Sequence, residues 1–118
     1  MISMYFAPSI LQQRLSLVKS ERELLKLVTQ EIALYDFATQ VDSFELDLAF
    51  AAAGGVSPWV MADKLPAILP PAPLRKATFG DLLVETQNGN VNIATPAGFI
   101  PLVDIEYNHG QLRQKQYN

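Results

Sequence analysis

The hydrophobic residues of this chain of 118 residues follow two different periods, separated by a proline-rich segment. Before residue 66 the apolar side chains mostly recur every three to four positions, which is typical of amphipathic helices. After residue 75 they alternate with polar side chains between turn signals, which is typical of strands. Residues 66–75 hold four of the eight prolines, which cannot donate a backbone hydrogen bond. The pattern therefore predicts a helical half, a crossover and a β half.

Two helices are predicted before residue 40. The first has Ser9 as its N-cap and keeps its apolar residues near one face as far as Val18. The second begins at the capping box Ser20-Glu21-Arg22-Glu23 and is expected to run to about Thr39. The same residues also allow one long helix without a break. Met1–Ala7, ahead of both helices, is expected to form an edge strand or an arm held against the domain.

Residues 43–53 fit two predictions. Hydrophobic residues alternate with other residues over 44–50, which indicates a strand, whereas the alanine-rich run 49–53 followed by Gly54-Gly55 indicates a helix and its end. We predict a helix from Ser43 to Ala53. Ser57-Pro58 has the sequence of another helix start, and the short fourth helix is expected to end before Pro66.

A hairpin is predicted around Asn88-Gly89. Asn-Gly between two runs of β-forming residues is typical of a two-residue loop, in which both residues adopt positive φ. Such a loop would pair Thr86 with Val91. A further turn is expected at Pro96-Ala97-Gly98.

A second hairpin is predicted around His109-Gly110. A two-residue loop there places Glu106 opposite Arg113 and Asp104 opposite Lys115, and opposite charges across a strand pair are favourable. A three-residue loop would shift this register and lose both charge pairs, so we predict the two-residue loop. The two hairpins together predict an antiparallel meander of about four strands.

These elements predict a single α+β domain over residues 1–118. Three to four N-terminal helices, within residues 9–65, are expected to pack on a C-terminal antiparallel β-meander at residues 79–117. The proline-rich crossover, residues 66–75, would join the two layers. The length suits one core, and the 49% of hydrophobic residues is enough to form it.

The charge of the chain and its lack of cysteine limit which partners and which reactions are expected. Only 18% of the residues are charged, which leaves apolar or neutral surface and favours a protein partner or self-association. The net charge of −3 makes nucleic acid an unlikely partner. The absence of cysteine excludes disulfides and thiolate catalysis, and it fits the cytoplasm. No apolar run is long enough to span a membrane, and no secretory signal is visible.

Few residues are candidates for catalysis. His109 is the only histidine and is expected in a turn. Acidic clusters at residues 42–47 and 104–106 could serve glycoside hydrolysis or hold magnesium, but capping or cross-strand pairs are expected to use them. Gly54-Gly55 lacks the lysine of a phosphate-binding loop. We therefore predict no catalytic, cofactor-binding or metal-binding residue.

Residues 46–65 resemble the helix-turn-helix pattern, in which a Leu-Ala-rich helix meets Gly-Val-Ser before a second helix. The resemblance implies a winged-helix DNA-binding regulator, with its helix-turn-helix at residues 44–65 and its wing at residues 82–95. The chain departs from that pattern in two respects. Gly54-Gly55 makes the turn one glycine longer, and the second helix carries Lys64 as its only basic residue.

We therefore expect a non-enzymatic protein–protein interaction or assembly domain, with the winged-helix regulator as the alternative. The candidate contact residues are apolar or aromatic and lie at the ends of predicted elements. They are Tyr5, Phe6, Trp59, Met61 and Tyr117.

Overall fold

A six-stranded antiparallel sheet forms the centre of the protein in the computed structural model, which describes residues 1–56 and 64–117. Its described helices are α1 (Ser9–Leu15), α2 (Glu21–Gln30) and α3 (Leu46–Ala52), with a 3₁₀ turn at Ile32–Leu34. The strands are β1 (Ile2–Phe6), β2 (Asp36–Val41), β3 (Ile68–Leu69), β4 (Leu82–Glu85), β5 (Asn90–Thr95), β6 (Gly98–Pro101), β7 (Ile105–Asn108) and β8 (Gln111–Gln114). The strand order in the sheet is β3-β2-β1-β4-β5-β6, and β7 and β8 form a separate two-stranded sheet.

The predicted division into N-terminal helices and a C-terminal meander is wrong. β1 lies between β2 and β4, so the N-terminal half supplies strands to the sheet, one of them an interior strand. All five residues of β1 are buried, as expected of a short apolar run that pairs on both sides. The proline-rich segment also adds β3, which pairs with β2. Met1–Ala7 therefore contains an interior strand rather than an edge strand or an arm.

The first two helices form as separate elements. α1 begins at Ser9 with Pro8 as its N-cap, so Ser9 is the first helical residue rather than the cap. The Ser20 hydroxyl accepts from the Glu23 backbone N–H at 3.1 Å, which confirms the cap of α2. α2 ends at Gln30 rather than near Thr39, because residues 36–41 pair with β1 as a strand. Helical periodicity alone could not reveal this competing strand pairing.

The helix predicted over residues 43–53 is confirmed as α3, with a later start at Leu46. The Ser43 hydroxyl accepts from the Glu45 backbone N–H at 3.0 Å, which makes a turn ahead of the helix rather than its cap. The predicted fourth helix lies almost entirely outside the described residues.

The two predicted hairpins form, but only one has the predicted register. In β7–β8, Glu106 lies opposite Arg113 and His109 has φ of 51°, as a two-residue loop requires. In β4–β5, Val84 instead pairs with Val91, because residues 86–89 form a four-residue loop. The shift of two residues leaves each side chain on its predicted face. The chain after residue 79 contains five strands rather than four, because β6 was not predicted.

Each face of the sheet carries its own hydrophobic cluster. The first face is covered by α1, α2, the 3₁₀ turn and the β7–β8 hairpin, and its buried side chains include Tyr5, Leu82 and Ile93. On the second face α3 packs Phe50 against Met4 and Leu83. In the described part of the chain, no helix has the length and apolar character needed to cross a bilayer.

Candidate binding cleft

A cleft of about 670 Å³ opens between the α1–α2 corner and one end of the sheet. One wall is formed by residues of α1, α2 and the turn that joins them. The opposite wall is formed by the turn before β4 and by the turn between β5 and β6. Apolar side chains line much of it, namely those of Leu15, Val18, Leu24, Phe79, Ala94, Pro96, Ala97 and Ile100. Its volume is in the range of binding sites for small molecules or side chains.

The helical wall carries its charged groups close to the N-terminus of α2. Lys19 and Glu21 line the cleft on either side of Ser20, and both side chains are exposed. The Lys19 backbone N–H donates to a Glu23 carboxylate oxygen at 3.4 Å, and Ser20 caps the helix. Among the first backbone amides of α2, that of Glu23 therefore already has a partner within the chain.

The opposite wall is held by a buried carboxylate. Asp81 is fully buried, and its oxygens accept from the backbone N–H groups of Ala7 (3.0 Å) and Thr78 (2.9 Å). Two Arg75 N–H groups donate to the same carboxylate, each at 2.7 Å. The Arg75 guanidinium also donates to the Ala7 carbonyl at 2.9 Å and lies 4.3 Å from the centre of the Phe6 ring. This network joins the start of β4 to the end of β1. It also fixes the turn before β4, which forms part of the cleft wall.

Tyr35 holds the same turn from the core side. Its buried hydroxyl donates to the Gly80 carbonyl at 2.6 Å. Burial, and after it the negative charge of Asp81, raises the pKa of the Tyr35 hydroxyl, so it remains a donor at neutral pH. Gly80 has φ of 98°, and a Cβ there would lie 2.9 Å from Leu15 Cδ1. The two walls of the cleft therefore meet closely at this glycine.

Phe79 is the principal aromatic side chain of the cleft. It is 38% exposed, and its ring stacks on Phe50, with the ring centres 5.9 Å apart. Leu17, between cleft residues Ser16 and Val18, is 76% exposed. The turn that joins α1 and α2 therefore carries an exposed leucine, which is next in the chain to two residues of the cleft.

Two charged side chains, those of Lys19 and Glu21, line the cleft among the described residues. Glu21 is the carboxylate that lines it, and Asp81, behind the wall, already accepts from Arg75. Among residues 1–56 and 64–117, no group of three acidic or histidine side chains is arranged to hold a metal ion. The cleft therefore offers a ligand apolar contacts, with charged groups at its rim.

Of the predicted contact residues that the structure describes, two are buried and one is exposed. Tyr5 is buried, donates from its hydroxyl to the Gly110 carbonyl at 2.7 Å and packs edge-on against Phe37. Phe6 is also buried, beneath Arg75. Tyr117 is 72% exposed, and its hydroxyl donates to Asp104 at 2.8 Å. Trp59 and Met61 lie outside the described residues. None of the three described side chains lines the cleft.

Two of the other candidate residues, Glu106 and Asp104, have side-chain partners in the structure. Glu106 pairs with Arg113, as predicted. Asp104 accepts from the Lys115 backbone N–H at 2.8 Å, while its carboxylate accepts from Tyr117. His109 is exposed in the β7–β8 turn.

The hairpin predicted as a wing is an interior part of the sheet. β4 pairs with β1 and β5, and β5 pairs with β4 and β6. A wing must project from the domain to contact DNA, whereas these two strands have neighbours on both sides. Most of the second helix of the proposed helix-turn-helix lies outside the described residues.

Sequence reasoning missed Asp81, Arg75 and Phe79. The signal for the turn was present, because Gly80-Asp81 directly before a β-prone run is typical of a turn. The link from Asp81 to Ala7 could not be read from the chain, because these residues are far apart in sequence. No family model matches this chain, and no curated protein or solved structure matches it.

Proposed function

We propose that this protein is a non-enzymatic interaction domain that binds an apolar segment of a protein partner in the cleft. The observation that carries the proposal is the apolar lining of the cleft, which includes Leu15 and Phe79, together with the exposed Leu17 in the turn that joins α1 and α2. Partly exposed apolar patches of this kind are typical of interaction sites.

A protein partner fits better than a small molecule. A small ligand would fill the cleft but would leave Leu17, which is 76% exposed, in contact with water. A partner segment can place one side chain between Leu15 and Phe79 and cover Leu17 with another. The low charged fraction of the chain, 18%, agrees with such a surface.

The walls of the cleft favour binding because they are already ordered. Asp81, Arg75 and Tyr35 fix the turn that carries Phe79, and Ser20 fixes the start of α2. A preformed site loses little conformational entropy when it binds. The partner is either a different protein or a second copy of this chain, and the experiment below distinguishes the two.

Leu17→Ser should weaken partner binding by about tenfold or more, because the partner would no longer bury a leucine side chain. Leu74→Ser is the matched control, since Leu74 is 102% exposed and does not line the cleft. Both changes lie at the surface and should alter the free energy of unfolding by less than about 0.5 kcal/mol. The three proteins are immobilised as baits in lysate of the source cells, and captured proteins are quantified by mass spectrometry.

Sedimentation velocity of the same three proteins at two concentrations measures self-association. Loss of a captured protein, or of the dimer, in Leu17→Ser but not in Leu74→Ser supports the proposal. Equal loss of binding in both variants would indicate nonspecific apolar contact. No loss of binding in Leu17→Ser would rule out this part of the surface as the binding site.

A further inference from the structure

The loop between β4 and β5 contains an Asn-Gly pair held by one glutamate. The Glu85 carbonyl accepts from the backbone N–H groups of Asn88 (3.2 Å) and Gly89 (2.8 Å). The Glu85 carboxylate accepts from the side-chain amide of Asn88 at 3.2 Å and from that of Asn92 at 3.3 Å. The Asn88 side-chain oxygen in turn accepts from the Asn90 backbone N–H at 2.9 Å. Asn88 is exposed.

Asn-Gly is the dipeptide in which asparagine loses its amide most readily. The backbone nitrogen of the glycine attacks Cγ of the asparagine, since no side chain obstructs its approach. A new N–C bond forms, the Cγ–Nδ2 bond breaks, and the amide nitrogen leaves as ammonia with the proton of the backbone nitrogen. Water then opens the resulting succinimide at either carbonyl and leaves aspartate or isoaspartate, with no oxidation or reduction.

The native loop holds both reacting groups in other interactions. The Gly89 N–H, which must lose its proton as the nitrogen attacks, donates to the Glu85 carbonyl. The Asn88 side-chain amide, which must rotate towards that nitrogen, is held at one end by Glu85 and at the other by Asn90. The loop must therefore open before the reaction can proceed.

We propose that Asn88 is a site of spontaneous deamidation whose rate is set by opening of the β4–β5 loop, with Glu85 as the residue that keeps the loop closed. The product prevents the loop from closing as before. Aspartate at position 88 places a carboxylate where an amide donated to Glu85, and isoaspartate adds a methylene group to the main chain of the loop. This inference does not depend on the binding function of the cleft.

The test compares the rate at Asn88 in native protein and in protein unfolded by guanidinium chloride, at the same mildly alkaline pH and temperature. Peptide mapping by mass spectrometry separates aspartate and isoaspartate at position 88 from changes at other asparagines. The native rate should be slower by about tenfold or more, because at least two hydrogen bonds must break. Equal rates in the two states, or no preference for Asn88 over other asparagines in the unfolded chain, would overturn the proposal.

Glu85→Ala tests the role of the glutamate side chain. It should raise the native rate by about fivefold and leave the unfolded rate unchanged. Gln87→Ala, at an exposed neighbour in the same loop, is the matched control and should leave both rates unchanged. Glu85→Gln keeps an oxygen acceptor and should give an intermediate rate, which provides a second reading if circular dichroism shows that Glu85→Ala is unfolded. A native rate that neither Glu85 variant alters would show that the side chain does not hold the loop.

Discussion

At the scale of single residues, Asp81 matters most for the geometry of the cleft. Four donors converge on its buried carboxylate, two from Arg75 and one each from the Ala7 and Thr78 backbones. Charged hydrogen bonds of this kind are short and strong, and together they join residues 75–78 and the residue after β1 to the start of β4. The sequence shows Arg75 only as one of two adjacent basic residues, and its pairing with Asp81 depends on how the strands assemble.

The chain offers a direct comparison of a buried and an exposed arginine–carboxylate pair. Arg75→Ala should lower the free energy of unfolding by about 3–5 kcal/mol, because it leaves the Asp81 charge buried without its cation. Arg113→Ala removes the same charge from the exposed Glu106 pair and should cost less than about 1 kcal/mol. Urea unfolding followed by circular dichroism measures both. Similar losses in the two variants would mean that Asp81 reaches water when Arg75 is absent.

At the scale of elements, the sequence predicted correctly those elements that caps or turn residues close in the chain specify. The cap at Ser20 identified the start of α2, and the turn residues His109-Gly110 identified the β7–β8 hairpin and its register. Strands that depend on distant partners were missed. β2 follows a helix without a strong turn signal, and the two-residue β3 lies among prolines. The cleft was missed for the same reason, since its walls come from separate segments that only the folded sheet brings together.

Exchanging the charges of the β7–β8 hairpin tests its register. Glu106→Arg alone and Arg113→Glu alone each place like charges in directly opposed positions, and each should destabilise the protein by about 0.5–1 kcal/mol. The double exchange restores an opposed pair and should recover most of that loss. Thermal unfolding of the four proteins at low salt measures the coupling. If the double variant loses as much stability as the two single variants lose together, the two side chains do not interact in solution.

At the scale of the whole molecule, both faces of one sheet are covered, and hydroxyl groups join separate layers. Tyr35 links the segment after α2 to the turn before β4, and Tyr5 links β1 to the β7–β8 hairpin. Both hydroxyls act as donors to carbonyl oxygens, so each contact requires the protonated form. Stability at alkaline pH therefore depends on contacts between layers, in addition to the contacts within each layer.

We expect the free energy of unfolding to fall as the pH rises from 10 to 12. Burial, and after it the proximity of Tyr107, raises the pKa of Tyr5 from 10.0 to about 12. In that interval the unfolded chain has lost the Tyr5 proton while the native protein retains it, so rising pH favours unfolding. Below pH 10 both states hold the proton, and Tyr5 contributes no pH dependence. Urea unfolding across this interval measures the slope.

Tyr5→Phe isolates the contribution of this hydroxyl from those of the other titratable groups. The variant loses the hydrogen bond to Gly110 and should be less stable than the native protein at pH 8. Its stability should then decline less steeply above pH 10, so the curves of the two proteins converge as the pH approaches 12. Parallel curves would show that Tyr5 titrates alike in the folded and unfolded chains, and that its hydroxyl does not join β1 to the β7–β8 hairpin in solution.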